Sequence, residues 1–302
     1  MISLHNVQKR FGARVAVHEL TFTVPQGEIF GLLGHNGAGK STAIGMMLGQ
    51  VWPTRGEVKI CGHDVTTQRA RALQKVGAIF EAPAFYDYLS GRRNLEILSH
   101  YSAPTSPERI REVVDWVGLT GREQSAVKTY SHGMRARLAL AQALLPQPEL
   151  LILDEPGSGL DPEGIAEMRR TIVRLHHELG LTILLSSHLL SEVEQLCTRI
   201  AVLNQGRKVF EGRVADVTTG RGRVMLRTPD FAAATALLRE RGIITGSVDG
   251  KFVALNEGRT TAEVAKLLVG ANIAVEGIWR QDQTLEDFYL SLVKAAPPTA
   301  KK

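Results

Sequence analysis

The sequence of 302 residues predicts an α/β fold built on a parallel sheet, followed by a small α+β domain. Three observations support this prediction. The segment GLLGHNGAGKST, residues 31–42, joins an apolar strand-like stretch to a stretch typical of a helix. Two later apolar segments, 150–153 and 182–185, have the length and composition of strands buried on both faces of a parallel sheet. The composition then changes after about Gly212, which indicates a second domain.

The first domain carries two additions to this parallel sheet. Apolar and polar residues alternate over residues 2–24 and again over 56–60, which predicts antiparallel strands. Residues 82–145 are rich in helix formers and predict a helical subdomain. Within it, Ser106 followed by Pro107 is typical of a helix start, with Ser106 as the N-cap.

The second domain has the pattern of a ferredoxin-like α+β module, because its predicted elements follow the order βαββαβ before a last helix. These elements are a strand at 223–227, a helix at 232–241, a hairpin within 244–256, a helix at 261–269, a strand at 273–280 and a helix at 284–293. We therefore divide the chain into domains 1–212 and 213–294. Residues 295–302, with two prolines and two lysines, predict a disordered tail.

Charge and cysteine usage narrow the functional classes. The formal net charge is +5, and no dense run of Lys or Arg is present, so we expect no nucleic acid partner. The sequence shows no signal peptide and no apolar segment long enough to cross a bilayer. Cys61 and Cys197 are the only cysteines, and they form no metal-binding pattern, which suits a cytoplasmic location.

The glycine-rich segment predicts a phosphate site. Gly34, Gly39, Lys40 and Ser41 fit the G-x-x-x-x-G-K-[ST] spacing of a P-loop. The glycines allow backbone N–H groups to face a phosphate, and the helix N-terminus adds a favourable dipole. We expect Lys40 to contact the β- and γ-phosphates and Ser41 to ligate Mg²⁺. The predicted nucleoside triphosphate site comprises Gly34, His35, Asn36, Gly37, Ala38, Gly39, Lys40, Ser41 and Thr42.

A pair of carboxylates follows the strand predicted at 150–153. Asp154 and Glu155 stand in the arrangement typical of the Walker B strand that accompanies a P-loop. We expect Asp154 to hold Mg²⁺, usually through water, and Glu155 to act as the general base toward the attacking water. The alternative is a strand that simply ends in solvated acids.

Further segments make the sequence resemble the ATP-binding subunits of ABC transporters. Residues 130–134, YSHGM, stand where the family has its LSGGQ signature, between the P-loop and Asp154. Three of the five positions differ from the consensus, but Ser131 and Gly133 match the two residues that contact phosphate in the family. The resemblance implies that ATP is bound by Ser131, His132 and Gly133.

The segments after Asp154 extend this resemblance. Residues 157–162, GSGLDP, resemble the D-loop of the family, which implies that Asp161 belongs to the nucleotide site. His188 follows the strand predicted at 182–185 and resembles the switch histidine that contacts the γ-phosphate. Phe11 matches the aromatic residue that stacks on adenine, and an ordinary core phenylalanine is the alternative there.

Glu81 is a departure from the family pattern. It stands where the family has the Q-loop glutamine, which ligates Mg²⁺ and connects to the membrane subunit. A carboxylate oxygen also suits Mg²⁺, so we expect Glu81 to be a metal ligand. This variation and the segment at 82–90 resemble the branch of the family that exports bacitracin and other peptides.

The resemblance carries expectations for fold, activity and partners. It implies a P-loop NTPase of the ABC cassette type, with a RecA-like parallel sheet core plus antiparallel β and helical subdomains. It implies an ATPase that uses ATP and Mg²⁺ in a head-to-tail homodimer, where Lys40 of one chain faces Ser131 of the other. It also implies a separate membrane permease in two copies, a place on the cytoplasmic face of the cell membrane, and export of a drug, antibiotic, peptide, lipid or polysaccharide.

Two alternatives belong to other functional classes. A soluble ABC ATPase acting on nucleic acid or ribosomes usually has two cassettes or a long coiled-coil insertion, whereas this chain has one cassette and no heptad run. A regulatory ATP-binding protein without turnover is disfavoured by Glu155 and His188. The transporter subunit is therefore the favoured hypothesis.

Overall fold

The computed structural model describes residues 1–80, 84–102, 105–218, 223–281 and 284–295. The chain divides into two compact units, Met1–Arg213 and the described residues from Val214 onward. Within the described part, no helix combines the length and the apolar character that crossing a membrane requires.

The first unit contains two sheets and the helices around them. Its strands are β1 (Ile2–Phe11), β2 (Arg14–Val24), β3 (Ile29–Leu33), β4 (Arg55–Ile60), β5 (His63–Asp64), β6 (Val76–Ile79), β7 (Leu150–Asp154), β8 (Thr182–Ser187), β9 (Arg199–Asn204) and β10 (Arg207–Arg213). Its helices are α1 (Lys40–Met47), α2 (Arg69–Leu73), α3 (Gly91–Ser102), α4 (Pro107–Trp116), α5 (His132–Leu144), α6 (Pro162–Leu179) and α7 (Leu190–Leu196), with a short 3₁₀ turn at Val127–Thr129.

The central sheet confirms the predicted α/β class. Its strand order is β10-β9-β3-β8-β7-β6, in which all neighbours pair in parallel except the antiparallel edge strand β10. Every residue of β3 and β8 is buried, because helices and the second sheet cover both faces. The parallel pairing brings the carboxyl ends of β3, β8 and β7 to one edge of the sheet.

The second sheet and the helical region also agree with their predictions. The strands predicted from alternation form an antiparallel sheet of order β2-β1-β4-β5. Its buried side chains pack in one core cluster with residues of β3 and α1. Between β6 and β7 lie α3, α4 and α5. The predicted N-cap of α4 is confirmed, since Ser106 Oγ accepts a hydrogen bond from the Arg109 N–H at 3.2 Å and Pro107 opens the helix.

The second unit has its own sheet and core. Its elements are α8 (Val214–Thr218), β11 (Arg223–Arg227), α9 (Phe231–Glu240), β12 (Ile244–Val248), β13 (Phe252–Leu255), α10 (Thr261–Gly270), β14 (Gly277–Gln281) and α11 (Leu285–Ala295). The sheet order is β12-β13-β11-β14, and every pair is antiparallel. Apolar residues of α9 and α10 pack with those of β11 and β13 in one buried cluster.

The chain end differs from its prediction at one residue. Ala295 was expected in the disordered tail, but it is the last residue of α11. Alanine favours the helix, and the first proline of the tail, Pro297, comes two positions later. The rest of the predicted tail, residues 296–302, lies outside the described residues.

Gly77 sets the packing distance between β6 and α5. A Cβ atom at this position would lie 2.1 Å from the carbonyl oxygen of Ala143, a backbone atom that cannot move away. We predict that Gly77→Ala destabilises the first unit by about 2–3 kcal/mol, which lowers Tm by about 4–12 °C. Thermal unfolding followed by circular dichroism measures this, with Ala78→Ser, at the exposed neighbour, as the control. An unchanged Tm for Gly77→Ala would show that the helix does not lie this close to the strand.

Candidate functional site

The glycine loop between β3 and α1 is held close to the backbone of two neighbouring strands. A Cβ atom on Gly34 would lie 2.6 Å from the Leu203 carbonyl oxygen, and one on Gly39 would lie 2.9 Å from that of Ala16. Gly39 also has a φ of 103°, a left-handed backbone that favours glycine. The Ala38 carbonyl accepts a hydrogen bond from Gly206 N–H at 2.9 Å, which fixes the loop to the turn after β9.

Lys40 is buried at the start of α1 and connects the loop to the end of β7. Its side chain is 5% exposed. The Nζ atom donates to the Gly34 carbonyl oxygen at 2.8 Å and lies 3.4 Å from Glu155 Oε1. A buried ammonium group needs such partners, and they hold its charge at the mouth of the loop.

His35 reveals a contact that the sequence analysis missed. Its Nδ1 lies 2.7 Å from the Asn36 carbonyl oxygen, and its Nε2 lies 3.1 Å from Asn204 Oδ1. Asn204 is the last residue of β9 and is buried. A polar residue at the carboxyl end of a strand beside β3 was a usable signal for this contact, since parallel strands end at one edge.

Two carboxylates and a histidine meet at the carboxyl ends of β7 and β8. Asp154 pairs in register with Ser186, and Glu155 follows with a φ of 48°. The Ser186 hydroxyl donates to Asp154 Oδ1 and accepts from the Glu155 N–H at 3.0 Å. Glu155 Oε2 lies 3.0 Å from His188 Nδ1. The sequence analysis predicted the two acids and the histidine, but not the serine between them.

A cavity of about 550 Å³ lies at the end of β7, next to the first turn of α1. Ser41 of α1 lines it together with Asp154 and Glu155, and His132 and Arg135 of α5 line its other side. The Ser41 hydroxyl and the Asp154 carboxylate are hard oxygen donors that suit Mg²⁺. Among the described residues, no group of three His, Cys, Asp or Glu side chains forms a metal cluster. Mg²⁺ held by these two oxygen donors would take its remaining ligands from phosphates and water.

Ser131 and Gly133 belong to a different cavity of about 300 Å³. Ser131 is the N-cap of α5 and accepts from Met134 N–H at 3.2 Å. Asp161 lines the same cavity and is the N-cap of α6, accepting from Gly164 N–H at 2.9 Å. His132 lines both cavities. Ser131 and Gly133 thus line a cavity other than the one that Ser41 and the two acids line.

Tyr130 stands where the family signature has leucine, and its buried side chain holds the signature segment in place. Tyr130 is 7% exposed, and its hydroxyl donates to the Arg122 carbonyl oxygen at 2.8 Å. The ring packs over Gly91 at the start of α3, where a Cβ would lie 2.4 Å from the hydroxyl oxygen. Burial, and secondarily the charge of Glu123, raises the pKa of this phenol, so it remains a neutral donor.

Three further predicted residues are Phe11, Glu81 and Thr42. Phe11 is the last residue of β1 and is 51% exposed, with Lys9 Nζ 4.8 Å from the ring centroid. The exposed ring is not the core phenylalanine of the alternative reading. Glu81, the predicted metal ligand, lies outside the described residues. Thr42 lies in the first turn of α1, beside Ser41.

A half-buried carboxyl group packs beside the loop after Glu155. Glu192 of α7 fills the space beside Gly157, where a Cβ would lie 3.1 Å from Glu192 Oε2. Its Oε1 is buried and has no hydrogen-bond partner among the residues that the structure describes. Burial raises the pKa of Glu192, although the charges of Arg169 and His188 oppose the shift.

Comparison with known proteins decides the family. The family model described as ABC transporter matches residues 17–158. The chain is 39% identical to the ABC transporter ATP-binding protein YhcH of Bacillus subtilis (strain 168), over 97% of this chain and 95% of YhcH. This chain belongs to the ATP-binding subunits of ABC transporters.

Two more matches support this identification of the subunit. The bacitracin transport ATP-binding protein BcrA of Enterococcus faecalis is 35% identical to this chain, over 97% of this chain and 96% of BcrA. The dimeric bacterial ABC transporter cassette MJ0796 superposes with a TM-score of 0.63 at 25% identity, over 71% of this chain and 99% of that one. The predicted cassette fold and the ATPase class are confirmed, and the transporter hypothesis is favoured over the nucleic acid alternative.

The raised pKa of Glu192 leads to a prediction for stability. The Glu192 carboxyl group binds its proton more tightly in the folded subunit than in the unfolded chain. The ionised carboxylate therefore destabilises the fold above its raised pKa. This penalty diminishes as the pH falls toward the unfolded value of about 4.3. We predict that Glu192→Gln raises Tm at pH 8 and that its advantage disappears near pH 4.

Thermal unfolding from pH 4 to pH 8 measures this difference. Glu178→Gln, at an exposed carboxylate near the end of α6, is the control and should leave Tm unchanged relative to the parent at each pH. A Tm advantage of Glu192→Gln that is constant with pH, or that grows on acidification, would contradict the assignment of a destabilising carboxylate.

Proposed function

We propose that this subunit hydrolyses ATP in a head-to-tail homodimer and thereby drives export of a substrate through a separate membrane permease. The observation that carries the proposal is the position of Glu155, held between Lys40 and His188 at the edge of the central sheet. This is where a base must lie to act on a water molecule beside the γ-phosphate of a nucleotide in the glycine loop.

Phosphate binding and metal binding are assigned to different groups around the 550 Å³ cavity. The backbone of the glycine loop and the Lys40 ammonium bind the phosphates of ATP, and Ser41 and Asp154 hold Mg²⁺. When bound, Mg²⁺ neutralises charge that develops on the phosphate oxygens. Glu81 is an additional candidate ligand from the sequence. Phe11, exposed at the end of β1, is available to stack on the adenine ring.

The contacts of Glu155 define its role in the reaction. His188 binds Oε2 of Glu155 at 3.0 Å, which fixes the orientation of the carboxylate. The other oxygen, Oε1, faces the Lys40 ammonium at 3.4 Å and turns to the attacking water when Lys40 engages phosphate. The carboxylate accepts a proton from that water as it attacks the γ-phosphorus in line with the leaving ADP oxygen.

The placement of Ser131 and Ser41 in the linings of two different cavities supports the dimer. Ser131 and Gly133 line a cavity of about 300 Å³ with Asp161, not the cavity that Ser41 and Glu155 line. An N-capped helix start such as that of α5 is suited to bind an anion. In a two-fold dimer, Ser131 and Gly133 of one chain therefore complete the γ-phosphate site of the other. Loss of the γ-phosphate then loosens the interface.

The exported substrate is proposed from the relatives. BcrA is a bacitracin transport protein, and its similarity covers both units of this chain. We infer that the cargo is an antibiotic-like peptide or drug, and that two copies of a permease recognise it. The subunit then lies at the cytoplasmic face of the cell membrane, and we propose that the segment after Glu81, which resembles that of the exporting branch, contacts the permease.

Replacement of Glu155 tests the proposed role of the base. We predict that Glu155→Gln retains ATP binding but lowers hydrolysis by about 10²–10⁴-fold, because the amide cannot accept the proton of the attacking water. The ATP-bound variant should elute as a dimer in gel filtration. Glu149→Gln, which removes the carboxylate just before the opposite end of β7, is the matched control and should hydrolyse at the parent rate. Parent-level hydrolysis by Glu155→Gln would exclude the assignment.

A further inference from the structure

Ser186 is a buried hydroxyl at the point where the two carboxylates meet. It is the fifth residue of β8 and is 0% exposed. The sheet register places it directly opposite Asp154 on β7 and opposite Leu32 on β3. The hydroxyl therefore lies between the strand that precedes the glycine loop and the strand that presents the acids.

The hydrogen bonds of Ser186 engage both acids at once. Its hydroxyl proton is donated to Asp154 Oδ1, and a hydroxyl has only one proton to donate. Its oxygen accepts from the backbone N–H of Glu155 at 3.0 Å. One side chain thus fixes the orientation of the Asp154 carboxylate and the backbone position of Glu155.

The backbone of Glu155 needs such a restraint. Its φ of 48° lies in the left-handed region, which a residue with a β-carbon adopts only when its surroundings enforce it. The Glu155 N–H is shared between the carbonyl oxygen of Ser186 at 3.2 Å and its hydroxyl oxygen at 3.0 Å. This turn directs the Glu155 side chain away from the strand and toward Lys40 and His188.

We propose that Ser186 is a positioning residue for ATP hydrolysis, which sets Asp154 for Mg²⁺ and Glu155 for the attacking water. This inference rests on the proposed roles of those two acids. The hydrogen bond from Ser186 to Oδ1 restrains the Asp154 carboxylate that is proposed to hold the metal or its water. A charge-assisted hydrogen bond to a carboxylate is among the stronger contacts of a buried hydroxyl, so its loss releases the carboxylate.

Thr182 shows what a buried hydroxyl does on the same strand without a catalytic role. It is also 0% exposed, and its hydroxyl accepts from the Gly27 N–H at 2.9 Å. It lies at the opposite end of β8, away from both acids. Thr182→Val therefore removes a buried hydroxyl of the same strand and serves as the matched control for Ser186→Ala.

The test compares Ser186→Ala with Thr182→Val in the full chain. We expect Ser186→Ala to lower kcat by about 10–100-fold and to leave the KM for ATP within about two-fold, as for other residues that orient a metal ligand. We expect Thr182→Val to keep the parent kcat, although its Tm can fall as far as that of Ser186→Ala or further.

A binding measurement separates positioning from a general loss of structure. Binding of a fluorescent ATP analogue is titrated without and with Mg²⁺. Ser186→Ala should match the parent without Mg²⁺ and should need about 10-fold more Mg²⁺ for the metal-dependent increase in affinity. Thr182→Val should match the parent in both titrations.

Several outcomes would overturn the proposal. A parent-like kcat and a parent-like Mg²⁺ titration for Ser186→Ala would show that the hydroxyl only satisfies buried polar groups. Equal losses of kcat in Ser186→Ala and Thr182→Val would assign the effect to stability. If Glu155→Gln is inactive while Ser186→Ala has parent activity, the proposed base stands and only the role of Ser186 fails. If Glu155→Gln is active, the proposed function itself fails.

Discussion

The carboxylate of Glu155 contacts nitrogen atoms from two separate segments of the chain. Lys40 approaches from the start of α1 and His188 from the end of β8, at 3.4 Å and 3.0 Å. These contacts form because β3, β8 and β7 are parallel neighbours that end at one edge of the sheet. The buried ammonium of Lys40 requires a compensating charge and an acceptor, and Glu155 and the Gly34 carbonyl provide them. Both the glycine loop and the end of β7 are therefore tied to this one set of contacts.

The predicted site residues of one chain line two cavities. One cavity contains Ser41, Asp154 and Glu155, and the other contains Ser131, Gly133 and Asp161. The helices α5 and α6, which begin at the second cavity, both have side-chain N-caps. These caps stabilise the first turns without a contact from a partner chain. A nucleotide held by one surface of one chain and the other surface of a second chain would link hydrolysis to opening of the dimer, which is the movement a permease can use.

Most of the site could be predicted because its residues occupy fixed places in sequence motifs. The spacing around Lys40 predicted a loop between a strand and a helix, and two acids were predicted after an apolar strand. The structure has the loop between β3 and α1, and Asp154 and Glu155 at the end of β7. Ser186 and Asn204 were missed, because a serine or asparagine at a strand end becomes informative only when the sheet register shows what lies opposite. The role of Tyr130 was also hidden, since its partner at Arg122 is fixed by the packing of the helical region. The last residue of α11 was missed because a helix end depends on local packing as well as on composition.

In the proposed dimer, two chains share each ATP site. Complementation between two inactive variants tests this sharing most directly. Lys40→Ala and Ser131→Arg are purified separately, mixed without nucleotide to exchange partners, and assayed for ATP hydrolysis. Each variant alone should be inactive. In a head-to-tail dimer, each mixed pair contains one intact site, so an equal mixture should recover about a quarter of the parent rate. A mixture that remains as inactive as its components would contradict the shared site.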